Sequence, residues 1–297
     1  MTRDIMLVDA FTTTPFTGNA AAVLLDASDL EPVIMQRIAR EMNVSETAFV
    51  LPSDQADLRL RWFTPETEVP LCGHATIATF HALVETGKLA VPNTYTLETK
   101  VGILDVELTN ADNAPCTVWL DVPIPEFAES SMSLTSLTAA FRIDESELLE
   151  DIPPTIGGEY LYVGLHNLTT LLSLKPDFSH LRLLSRTDNL SGFVLYTLSG
   201  LDETSRVHVR FFAPAWGIDE DPVTGSAHAP LGALLVGVGM IPTVDGGRVV
   251  QYYAEQGDAI HRAGRVRVEV TLDEDDHPVR SRVGGSAITV MRGKLRA

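Results

Sequence analysis

Between His74 and Val84, and again between Ser226 and Val244, the chain carries no charged side chain. A helix written over either stretch has no solvent face and has to be buried all round. Surrounding β segments would have to wrap it. Such segments flank the first stretch: "DIMLVDAF", "AAVLLD", "TAFVL" and "LRLRWF" read as strands, with an amphipathic helix from Glu31 to Met42 among them. "TYTLETKVGILDVEL" and "CTVWLDV" follow as further strands. This order describes an α+β chain.

The two uncharged stretches belong to a larger repeat. Phe49, Arg61, Phe63, Pro65, Pro70 and Gly73 map in order onto Phe193, Arg210, Phe212, Pro214, Pro222 and Gly225, with a few residues inserted between anchors. Each half reads strand, strand, proline-led loop, glycine-started helix, which points to duplication. Two similar lobes are expected, each a curled sheet or barrel around a central helix. The first spans 1–122, with a C-terminal strand at 283–297 as a candidate to complete it. The second spans 128–282, and "VPIPEF" (Val122 to Phe127) is the linker.

Bulk properties narrow the function. Lys and Arg number 22 against 40 Asp and Glu, so the chain has no basic footprint for nucleic acid or an anionic membrane surface. Two cysteines, Cys72 and Cys116, make no disulfide framework and fit a reducing compartment. Asp4 and Asp9 interrupt the apolar core a signal peptide needs, and "SAHAPLGALLVGVGMIP" is too broken to span a bilayer, so a cytoplasmic location is expected. Nucleotide-loop, nucleophile-elbow and zincin motifs are missing from the sequence, and His74 and His81 are seven apart, a spacing unlike a metal ligand pair.

A helix start leaves backbone N–H groups unpaired and carries partial positive charge, which suits a carboxylate. Gly73 in "CGHAT" and Gly225 in "TGSAH" would let a ligand approach the backbone, and related lobes would turn the two starts toward one cleft. The same glycines also suit plain tight turns into buried helices.

"DAFTTTPFTGNAAAVLL", "MNVSETAFVL", "RWFTPETEVPLCGHAT", "VRFFAPAWGIDEDPVTGSAHAPLGALL" and "VGGSAITVMRGKL" together resemble the phenazine-biosynthesis (PhzF-like) isomerase family, related to diaminopimelate epimerase. The resemblance covers nearly the whole chain. It implies a diaminopimelate-epimerase-like fold, a small carboxylate-bearing substrate, a homodimer, and neither cofactor nor metal. By the same resemblance Glu46, in Asn43-Val44-Ser45-Glu46-Thr47, is the general acid/base; taken alone, a glutamate at a helix-to-strand junction is most often a solvated surface residue. His74 is implied beside the first helix start, as a proton shuttle or substrate holder, where packing inside the helix is the plain alternative. Asp221 is implied opposite, to bind an amino or hydroxyl group. Ser226 would donate to the substrate carboxylate or simply cap its helix. Gly18 and Asn19 match a glycine-asparagine turn bordering the site, and Gly73, Ala75, Thr224 and Gly225 complete its two helix starts.

Cys72 stands where cofactor-independent racemases keep the first of two cysteines, but the repeat places Thr224 at the second position. Threonine has no accessible thiolate, which disfavours a symmetrical two-base racemase. A small apolar plug under the helix is the other reading of Cys72. Phenazine-pathway enzymes tend to read Gly-His-Pro at the first helix, whereas this chain reads Cys72-Gly73-His74-Ala75. The acid/base apparatus therefore carries over better than the phenazine substrate. Three functions follow: an isomerase moving a proton between carbons, an amino- or hydroxy-acid epimerase using Cys72, and a non-catalytic ligand-binding protein.

Overall fold

A computed structural model describes residues 2–111, 114–243 and 246–296. Chain contacts divide it into two compact units, Met1–Asp121 with Arg282–Ala297, and Val122–Ser281. The ends of the expected first lobe, Met1 and Ala297, and the last residue of the second uncharged stretch, Val244, lie outside the described residues.

The first unit contains β1 (Thr2–Ala10), β2 (Asn19–Leu24), α1 (Pro32–Met42), β3 (Glu46–Leu51), β4 (Leu58–Phe63), β5 (Glu68–Val69), α2 (Gly73–Glu85), β6 (Asn93–Thr99), β7 (Gly102–Thr109) and β8 (Thr117–Val122). β2 and β3 run parallel across α1, β3 and β4 antiparallel, β4 and β6 parallel, and β6 and β7 form a hairpin. α2 is buried from His74 through Leu83, and it packs on β1, β2 and β3. This is what a charge-free helix requires. The amphipathic α1 instead lays Met35, Ile38 and Ala39 against Leu24, Phe49 and Phe63.

The second unit contains β9 (Phe127–Glu129), α3 (Leu134–Phe141), β10 (Thr155–Gly157), β11 (Tyr160–Gly164), α4 (Leu168–Ser173), α5 (Phe178–Thr187), β12 (Gly192–Thr197), β13 (Ser205–Ala213), β14 (Ile218–Asp221), α6 (Gly225–Gly237), β15 (Val249–Gln256), β16 (Gly264–Leu272) and β17 (Pro278–Gly285), whose residues from Arg282 onward belong to the first unit. The scheme repeats: β11 and β12 run parallel across helices, β12 and β13 antiparallel, β13 and β15 parallel, and β15 and β16 form a hairpin. β18 (Ala287–Arg296) pairs along the whole of β1, in the first unit. The fold is α+β, with strands wrapped about two apolar helices.

The repeat extends to side-chain chemistry. Arg61 grips Glu68 in a two-pronged pair at 2.7 and 2.8 Å and lies 5.2 Å from the Phe63 ring. Arg210 grips Glu220 at 2.8 and 2.7 Å and lies 5.0 Å from the Phe212 ring. Bidentate pairing and stacking are what the planar guanidinium offers and lysine does not. Both buried helices have 13 residues. The second uncharged stretch overruns its helix: α6 stops at Gly237, Gly239 turns with φ +77°, and Val238 is half exposed. Glycine and the following Pro242 end the helix while the polarity stays apolar.

No described helix is long and apolar enough to cross a membrane.

Candidate active site

Three candidate residues come together in the first unit. Asn43 stops α1 by taking a left-handed conformation at φ 50°, and the chain re-enters the sheet at Glu46, the first residue of β3. Cys72 occupies the N-cap of α2, and His74 lies in its first turn. His74 Nδ1 is 3.4 Å from Cys72 Sγ, and His74 Nε2 is 3.1 Å from Glu46 Oε2. The Glu46 side chain is only 13% exposed and that of His74 8%. The close Nε2–Oε2 approach is an ion-pair contact with poor N–H alignment, since neither atom makes a well-directed hydrogen bond.

The charges are set by proximity. Burial opposes a proton on His74, but the Cys72 and Glu46 groups together outweigh it and raise the ring well above the usual imidazole range. The Cys72 thiol is itself pushed up, first by burial and then by the Glu46 carboxylate, so it is uncharged near neutral pH. The Ala75 N–H lies near enough to favour a thiolate slightly, without reaching capping geometry.

The helix start is open. The Cys72 side chain makes no capping hydrogen bond, so it leaves the first-turn N–H groups unclaimed, and a Cβ placed on Gly73 would meet nothing within 4 Å. Gly18 answers a different demand. It sits at φ +64° where a Cβ would strike the Ala10 carbonyl oxygen, and only glycine fits. Asn19 is fully buried at the start of β2, and its Oδ1 accepts from Ser45 Oγ at 3.5 Å, the residue before Glu46. His81 lies two turns deeper, 2% exposed, and burial lowers its pKa; it is a core residue.

The second unit gathers Asp221, Thr224, Gly225 and Ser226 at the start of α6. Thr224 holds the N-cap position and, like Cys72, does not cap; its hydroxyl donates instead to Asp221 Oδ2. Ser226 is exposed, and its hydroxyl pairs with Tyr160 at 3.2 Å instead of capping the helix. Sequence reasoning missed Tyr160, Gln256 and His228. Gln256 bonds to Thr224, and His228 Nε2 donates to Gln256 Oε1 at 3.0 Å. The one legible signal for Gln256 was the pair of polar residues Glu255-Gln256 closing the alternating strand "VVQYYAEQ" just before Gly257.

Among the described residues, two groups of ligand-type side chains come within 4.8 Å of one another: Glu46, Cys72 and His74, and His208, Glu255 and Asp258. In the first, His74 turns one ring nitrogen to Cys72 and the other to Glu46. In the second, His208 Nδ1 is bonded to Glu255 at 2.8 Å, and Asp258 is gripped by Arg265 at 3.1 and 3.2 Å.

A family model described as phenazine biosynthesis-like protein matches residues 8–293. An uncharacterized isomerase of Clostridium acetobutylicum is 37% identical over 295 residues, covering 97% of this chain and 96% of its own length. The trans-2,3-dihydro-3-hydroxyanthranilate isomerase of Pseudomonas fluorescens is 34% identical over 294 residues, covering 99% of each chain. A crystal structure of the Bacillus anthracis phenazine biosynthesis protein of the PhzF family superposes with a TM-score of 0.91 at 33% identity, covering 100% of both chains.

Proposed function

The chain belongs to the phenazine biosynthesis-like protein family, a family of isomerases, and we propose that it moves a proton between two carbons of a small carboxylate-bearing substrate with Glu46 as general acid/base. The observation that carries this reading is the buried Glu46–His74 contact of 3.1 Å beside an uncapped helix start. The helix N–H groups and their partial positive charge receive the substrate carboxylate. Glu46 takes a C–H proton, and the protonated His74 ring stabilises the charge that develops on the conjugated system. The Glu46 proton then goes back to a different carbon. Asp221 holds an amino or hydroxyl group of the substrate, and Ser226 adds a donor for its carboxylate.

Cys72 supports this chemistry less directly. A two-base epimerase needs a thiolate, and burial together with the Glu46 charge keeps the Cys72 thiol protonated. Thr224 at the equivalent helix start carries no thiol. The substrate of the Pseudomonas fluorescens relative is the natural first candidate, though the Cys72-Gly73-His74-Ala75 motif leaves related dihydroaromatic, amino and hydroxy acids in contention. The reading includes a homodimer, expected in solution at twice the 32.3 kDa chain mass.

The test is proton NMR in D2O with trans-2,3-dihydro-3-hydroxyanthranilate and a panel of amino and hydroxy acids. Glu46→Gln should slow isomerisation or deuterium uptake by about 10²–10⁴-fold while leaving the fold unchanged. Wild-type rates in Glu46→Gln would sink the assignment. Inversion at an α carbon that disappears in Cys72→Ala would move the reaction to epimerisation. Tight binding without proton exchange would make the protein a ligand carrier.

A further inference from the structure

Gln256, the last residue of β15, points into the second unit and is fully buried. A buried amide is costly unless its polar atoms are partnered, and these are. Oε1 accepts from the Thr224 main-chain N–H at 3.0 Å and from His228 Nε2 at 3.0 Å. Nε2 donates to the Asp221 carbonyl oxygen at 2.8 Å and to Thr224 Oγ1 at 3.1 Å. Both amide protons and both lone pairs are used. The orientation of the amide is fixed by its partners, because a main-chain N–H can only donate and a main-chain carbonyl can only accept.

A consequence passes to Thr224. Its oxygen receives the Gln256 proton, so its own hydroxyl proton is directed to Asp221 Oδ2. The donation to Asp221 replaces the capping bond that an N-cap threonine ordinarily makes to its own helix. Burial lowers the His228 pKa to about 4, which keeps the ring neutral and lets its Nε2–H donate throughout the neutral range. Gly257 clamps the other side: at φ +89° it packs so closely beneath the Pro222 carbonyl that a Cβ there would come within 2.6 Å of that oxygen. In the first unit, β6 ends in Thr99, whose hydroxyl donates to the Gly102 carbonyl at 2.7 Å.

We propose that Gln256 is a positioning residue that, through Thr224, holds the Asp221 carboxylate in the geometry the reaction uses. The inference rests on the proposed substrate-holding role of Asp221. Gln256 acts through its two amide donors, which have no counterpart on an ionised glutamate of the same size.

The test is a carboxyl 13C NMR titration of Asp221 in the full-length protein, with its resonance assigned by loss in Asp221→Asn. Gln256→Glu removes both donors and adds like charge, and should raise the Asp221 midpoint by about one pH unit or more. Thr224→Val deletes only the relaying hydroxyl and should also raise the midpoint. Thr224→Ser keeps the hydroxyl and should titrate like wild type. The two Thr224 variants remain decisive if Gln256→Glu fails to fold. Midpoints within roughly 0.3 pH unit of wild type in both Gln256→Glu and Thr224→Val, or in Thr224→Val alone if the other variant is unfolded, would overturn the proposal. A shifted midpoint together with undiminished proton exchange in Asp221→Asn would leave the Gln256–Thr224–Asp221 chain standing and remove Asp221 from the reaction.

Discussion

The two histidines that open the buried helices should answer pH in opposite senses, and His228 provides the sharper measurement. Its folded pKa is lowered from 6.5 to about 4, mainly by burial, with the Gln256 hydrogen bond opposing the shift only in part. On acidification the unfolded chain takes up a proton as pH passes 6.5, whereas the folded chain resists until pH 4. Stability attributable to His228 is thus intact above pH 6.5 and is lost as pH falls toward 4. At about 1.4 kcal/mol per pH unit, the loss between pH 7 and pH 4.5 is about 2.5 kcal/mol. His74 has its pKa raised, so its contribution is fully present below 6.5 and flat across this window. Urea unfolding of wild type and His228→Gln at pH 7, 5.5 and 4.5 reads the difference. The glutamine amide can still donate to Gln256 but cannot protonate, so the variant should lose about 2.5 kcal/mol less than wild type. Parallel losses, within about 0.5 kcal/mol, would refute the claim that burial holds this imidazole neutral.

The duplicated arginines should differ in worth. Arg210→Met strands a largely enclosed Glu220 and frees the Leu171 and Leu174 carbonyls, each 3.0 Å from the buried guanidinium, so it should cost about 3 kcal/mol in denaturant unfolding. Arg61→Met leaves Glu68 paired with Lys100 at 2.7 Å and should cost about 1–2 kcal/mol; equal costs would contradict the environments described. Both thiols are buried, with Cys116 pushed up to about 11, so Ellman's reagent should read almost no thiol in the native protein at pH 7.5 and two after urea. Rapid native labelling of Cys72 would show that it is more acidic and accessible than its surroundings imply. Gly18→Ala should destabilise by about 2 kcal/mol or more, as measured by its urea midpoint, because the Ala10 carbonyl stands where the methyl would go.

Much of the fold was legible because it rests on local rules. The absence of charge over His74–Val84 required a helix with no wet face, and α2 is buried along that length. Arg61 and Arg210, matched as uncommon residues in order, each meet a glutamate and a phenylalanine ring. The glycine turn at Gly18 was readable from its residue type. The end of the second helix was less legible, since apolar Val238 and Met240 continue the pattern and only Gly237 and Gly239 break it.

The sequence by itself determined the α+β plan and the repeated order of anchors, because periodicity and glycine conformation act within a few residues of one another, whereas the candidate site residues came from the family resemblance. Tertiary structure alone decided which atoms those residues meet. Strand register and helix packing brought Glu46 to His74 across 28 positions of chain, Tyr160 to Ser226 across 66 and Gln256 to Thr224 across 32. Hydrogen bonds form over about 3 Å and depend on direction, so the partner of a buried polar atom is fixed only when the backbone has already placed it.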